Sequence, residues 1–125
     1  AAGGAEAAGV ALTQALATNG STLQFRLLDA RFQQVGGDSS SKELVYEYFV
    51  ETCRGKKIEG SKGELFCLGG KNDEVTLQTV QRHAVATAIV RGGYLYTCIG
   101  SAAEERWGEA APALRAAVTS FRFND

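Results

Sequence analysis

The sequence predicts an α+β fold, an antiparallel sheet with helices packed on it, and a few observations lead there. The stretches 21–35, 43–53 and 75–99 are rich in β-branched, leucine and aromatic residues, a composition that favours strands. Between the last two apolar runs lies Arg91-Gly92-Gly93, where glycine supplies the positive φ that a hairpin turn requires. Beyond Glu104 the period changes. Trp107, Ala111, Leu114, Val118 and Phe121 are spaced four, three, four and three apart, one apolar stripe along a helix that must cover a sheet.

The chain has 125 residues, 45% of them hydrophobic, and a net charge of −1. That length suits a single domain, 1–125, with enough chain to bury a core. A near-neutral balance argues against nucleic acid as a partner, since phosphate neutralisation needs an excess of Lys and Arg. No apolar run reaches the length of a membrane span. The sequence holds no Met, so either a targeting segment has been removed or the chain is part of a longer product.

In chain order, 1–20 is either a short amphipathic helix over 5–18 or an Ala/Gly linker. Ala8, Leu12 and Leu16 form its thin stripe, and Asn19-Gly20 is its stop signal. Strand 21–35 follows. Leu23, Phe25 and Leu27 share one face, whereas Leu28, Ala30 and Phe32 share the other. That phase change predicts either a bulge near Leu27-Leu28 or apolar neighbours on both faces. Residues 36–42 (GGDSSSK) read as a turn-rich loop. Strand 43–53 then sets Leu44, Tyr46, Tyr48 and Val50 against Val45, Glu47, Phe49 and Glu51.

Residues 54–74 are charged and Gly-rich and predict an exposed excursion with one short strand, 64–68. Its Arg54, Lys56, Lys57 and Lys62 make either an electrostatic docking loop or a solvated hairpin tip. Cys53 and Cys67 flank it. They either pair, in an oxidising compartment, or remain reduced and buried; the spacing would close a loop of about 15 residues. Cys98, in mid-strand, reads as a small buried hydrophobe.

A strand over 75–90 and its return 94–99 would set Ile89 opposite Tyr96 and Thr87 opposite Cys98. The small Ala84, Ala86 and Ala88 lie on the other face, with Val90, Leu95, Thr97 and Ile99, and predict the seat of the Trp107 helix. Trp107, Leu114 and Phe121 would anchor that core. Pro112 falls inside the helix, where it costs about 3 kcal/mol unless the helix restarts there. The expectation is a separate first turn and a main helix from Pro112.

No nucleophile elbow, phosphate loop or zinc-protease motif is present, and His83 is the one histidine. The chain therefore reads as a binding or scaffolding domain without catalytic activity.

The run from His83 to Phe121 resembles the C-terminal part of the PsbP family, extrinsic lumenal proteins of photosynthetic membranes. Leu95-Tyr96-Thr97-Cys98, Arg106-Trp107 and Ser120-Phe121 match its pattern at ungapped spacing. Upstream, Val35-Gly36-Gly37 leading into the Tyr-rich strand is similar to the family's preceding hairpin, so the resemblance spans 22–121. It implies an α/β/α sandwich around an antiparallel sheet. Family members begin with two further strands that have no counterpart here, which implies an open sheet edge.

The resemblance further implies an extrinsic, non-catalytic subunit of photosystem II in the chloroplast thylakoid lumen, peripheral to the membrane, aiding calcium and chloride retention at the oxygen-evolving side. An auxiliary or assembly factor of photosystem I or the chloroplast NDH complex is the alternative, and a small-molecule enzyme a remote third. The family's Lys-rich closing helix is here replaced by Glu104, Glu105 and Glu109 against Arg106 and Arg115, so its docking mode does not transfer directly. No firm cofactor is implied. A weak divalent-metal pair carries over to His83 and Glu104, two ligands that water or a neighbour would have to complete; the other reading of His83 is a hydrogen-bonded strand residue.

Overall fold

A computed structural model describes residues 2–35, 38–69, 74, 75 and 79–121. The chain opens with helix α1 (Ala2–Ala17), followed by strands β1 (Thr22–Val35) and β2 (Asp38–Cys53). Short strands β3 (Lys56–Glu59), β4 (Leu65–Gly69) and β5 (Glu74–Val75) come next. Then β6 (Thr79–Arg91), β7 (Tyr94–Ala103), a 3-10 turn (Glu104–Arg106) and helix α2 (Trp107–Thr119) complete the fold. The main sheet is antiparallel in the order β1-β2-β6-β7, and β3-β4-β5 form a second, smaller sheet. The predicted α+β class holds.

The 5–18 helix reading holds, and the linker reading does not: α1 ends at Ala17, just before Asn19-Gly20. Its Ala8, Leu12 and Leu16 pack on a core of Leu44, Tyr46, Tyr48, Val50, Ala84, Ala86 and Ala88. The phase change in β1 is a bulge. Leu27 pairs with Tyr48 and Asp29 with Glu47, so one extra residue enters β1. Leu28 is put outside, 46% exposed, and Ala30 returns to the face of Phe25 and Leu27.

The hairpin between β6 and β7 has the predicted register, Ile89 opposite Tyr96 and Thr87 opposite Cys98. Gly92 and Gly93 take φ of 60° and 81°, the pair of positive values that a type I′ turn needs.

Several expectations are corrected. The strand expected over 75–90 is two elements: Glu74 and Val75 pair with Gly69 and Leu68 in the small sheet, and β6 begins at Thr79. A β-branched run without Gly or Pro does not reveal a change of pairing partner. The loop expected over 36–42 is strand from Asp38, with Gln34 opposite Lys42 and Val35 opposite Asp38 across a register shift. Pairing of Lys42 and Asp38 with β1 on either side of the serines makes this segment strand despite its turn-prone composition, while Gly36-Gly37 lie outside the described residues. The 54–74 excursion contains strand β3 as well as β4, and β4 runs Leu65–Gly69 rather than 64–68.

The closing helix lies on the opposite face from the one expected. Trp107, Ala111 and Val118 pack with Val45 and Val85, with Leu114, Cys98 and Ala102 at the margin. Thr87 on that face donates its Oγ1 hydrogen to the Val118 carbonyl at 3.4 Å. The space above the alanines is filled from within the sheet: Tyr46 pairs with Ala86 and Tyr48 with Ala84, their rings stack 6.2 Å apart, and α1 covers them. Burial raises the pKa of both tyrosines, and Tyr48 adds to the rise at Tyr46. Nor does the main helix restart at Pro112. α2 runs through it, and the separate turn is the 3-10 turn before Trp107. Gly108 and Pro112 are both exposed, so the carbonyl that proline cannot serve is open to water.

Candidate functional site

The predicted pair is brought together where β6 meets the turn before α2. His83 Nδ1 stands 3.2 Å from Glu104 Oε2. Its ring stacks on Trp107, centroids 4.0 Å apart and planes 9° from parallel. Trp107 is thereby both the first anchor of α2 and the wall of the histidine site.

Glu47, not singled out in the sequence, lies on the other side of the ring, Oε1 at 3.9 Å from Nε2. Arg115 clamps it bidentately, Nε to Oε2 at 2.8 Å and Nη2 to Oε1 at 2.9 Å. The Arg115 guanidinium also lies 5.6 Å from the Trp107 ring centre, a cation–π contact. The hydrogen bond to Glu47 holds the Arg115 pKa above its ordinary value, with the Glu47 charge adding to the rise. A signal for Glu47 existed: an acid on a strand face shared with Val45 and Phe49 demands a cation. Arg115, 68 residues away in sequence, could not be assigned to it from spacing.

Because Glu104 addresses Nδ1 and Glu47 addresses Nε2, the two carboxylates stand on opposite sides of the imidazole. One ion cannot use both through a single ring nitrogen. His83 and Glu104 thus offer two ligands, and no cluster of three metal-ligating side chains exists among the described residues. The donors suit a borderline divalent ion, yet the chain alone does not complete its coordination. The same geometry serves equally as a hydrogen-bonded post that ties β6 to the turn before α2.

The two cysteines at the base of the excursion are bridged, Cys53 to Cys67, with Cα atoms 5.6 Å apart. Arg54, Lys56 and Lys62 are exposed. Lys57 differs: it is half-buried, and its Nζ donates to the Thr22 carbonyl at 3.0 Å. It fastens the small sheet to the large one. Trp107 is buried and Leu114 is half-buried at the margin of the same core, whereas Phe121, expected as a third anchor, lies beyond the end of α2, half-buried and outside that cluster. Cys98, half-buried rather than fully buried, borders the α2 core.

A sheet with helices on both faces, carrying a His–Glu pair beside a tryptophan, defines a sandwich of the α/β/α kind. The family model PsbP matches residues 2–123, and the chain belongs to that family. Membership ties it to photosynthesis and to the membrane complexes with which this generally non-catalytic family associates. A comparison with curated proteins returned no match. Among the described residues, no helix is long and apolar enough to cross a membrane.

Proposed function

We propose that this chain is a non-catalytic extrinsic subunit of photosystem II in the chloroplast thylakoid lumen, steadying the oxygen-evolving side and its hold on calcium and chloride. The observation that carries the reading is the family match over nearly the whole chain. A disulfide at Cys53–Cys67 suits an oxidising compartment. The imidazole of His83, stacked on Trp107 and flanked by carboxylates, supports a structural role or the holding of a weak divalent ion shared with a neighbour.

The test is depletion and add-back. Membranes stripped of this chain should evolve less oxygen when calcium and chloride are scarce and recover when the purified chain returns. Unchanged oxygen evolution under those conditions would contradict the role.

A second reading, an auxiliary or assembly factor of photosystem I or the NDH complex, is favoured by the charge of the closing helix. Glu105 and Glu109 are exposed there, and Arg115 is engaged by Glu47. Transient association with assembly intermediates, instead of a fixed stoichiometry, would mark this alternative.

A further inference from the structure

At one corner of the main sheet β7 stops short. Its last residue, Ala103, pairs with Arg82, whereas β6 continues back through Gln81, Val80 and Thr79, which pair with β2 on their other side. Among the described residues no strand lies on the β7 side of Thr79–Gln81. Among the described residues, the main-chain groups on that side therefore have no strand partner, and the 3-10 turn into which β7 runs bounds them.

This stretch of β6 lines an open cleft of about 520 Å³, together with Arg54, Arg82, Ala103 and Glu105. Arg82 is held in place, its Nε and Nη2 donating to Ser101 Oγ at 3.3 and 3.0 Å. Its Nη1 hydrogens face no partner in that pair. Arg54 lines the same cleft directly after the bridged Cys53, so the disulfide fixes the stem that carries it.

We infer that this cleft is a docking site for an extended peptide segment carrying one acidic side chain. The segment would add a short strand beside Thr79–Gln81 while its carboxylate lies between the Arg54 and Arg82 guanidiniums, whose planar forks match carboxylate geometry. The third charge in the cleft, Glu105, selects the class of ligand. Two guanidiniums against one carboxylate leave a net charge of +1, enough for a single acid and unfavourable for a polyphosphate. This inference rests on the reading of the chain as a binding subunit and names the chemistry of its partner.

The experiment titrates the isotope-labelled full chain with two blocked peptides, acetyl-Thr-Val-Thr-Glu-Thr-Val-Thr-amide and its counterpart with Gln for Glu, following backbone amide shifts. The Glu peptide should move the Thr79, Val80 and Gln81 signals and bind about tenfold more tightly than the Gln peptide. Arg54→Ala, at an exposed position, and Arg82→Ala should each remove about tenfold of that affinity, with the remaining amide spectrum unchanged as proof of folding. Equal binding of the two peptides, shifts confined to other strands, or indifference to both substitutions would overturn the inference.

Fractionation of membranes carrying Arg54→Ala separates this site from the wider role. Release of that variant from a complex that retains the wild type supports the cleft as the contact. Retention with undiminished strength overturns the cleft but leaves the subunit reading intact. A wild-type chain that binds the Glu peptide yet accompanies no photosynthetic complex contradicts the subunit reading and not the cleft.

Discussion

Trp107 ties together the C-terminal contact, since its buried ring stacks on His83, receives Arg115 and packs beside Val45 and Val85. Trp107→Ala should therefore cost about 3–5 kcal/mol, the range for truncating a large buried aromatic side chain, read as a lower midpoint in denaturant unfolding. Glu47→Gln removes the charge and one of the two acceptor oxygens of a clamp whose arginine is half exposed. Its cost should be about 1 kcal/mol, and a loss as large as that of Trp107→Ala would show that the clamp matters more than its exposure suggests. Tyr46 and Tyr48 supply a pH test. Their pKa values are raised in the folded state, so the folded chain keeps its phenol protons where the unfolded chain gives them up. Their contribution is complete below the unfolded value near 10 and is lost as pH rises through the folded values. The melting temperature should fall above about pH 10, and Tyr48→Phe should soften that fall.

The helices and the long strands were legible in the sequence because their periods are clean, and the β1 bulge was legible because Leu27-Leu28 reverses the alternation. The face chosen by α2 was not. Alanines mark space without saying what fills it, and here the neighbouring strand's tyrosines do. Strand β3 was also hidden, since Lys56–Glu59 is mostly charged and becomes a strand only by pairing with β4. Likewise His83 and Glu104 came through the family pattern, but the Glu47–Arg115 clamp needed the fold. At Gly100, a Cβ would meet Leu114 Cδ2 and Val118 Cγ2 at 3.1 Å each, so the approach of α2 to β7 depends on that glycine. Gly100→Val should weaken the helix contact by about 1–3 kcal/mol, the usual cost of overpacking. The small sheet is fastened to the large one by the disulfide and by Lys57 on Thr22. Reduction should remove about 3 kcal/mol from a loop of this length. Hydrogen exchange should then accelerate in β3 and β4 before it does in β2 and β6. Uniform acceleration throughout the chain would show that the two sheets unfold together.

At the scale of the molecule, the sheet leaves an apolar margin on one side. Val90, Leu95 and Ile99 are 71%, 51% and 54% exposed, and β7 is an edge strand. The opposite end of β6 carries the charged cleft of Arg54 and Arg82. A chain of net charge −1 that docks through such a local basic patch relies on short-range electrostatics, which salt screens over about 10 Å at 0.1 M. The central claim is that the chain works as a peripheral subunit of a photosynthetic complex. Gentle detergent fractionation of the source membranes, probing this chain against markers for photosystem II, photosystem I and the NDH complex, tests it most directly. The account predicts co-migration with photosystem II that a high-salt wash abolishes; migration alone, at the size of the free chain in low salt, would contradict it.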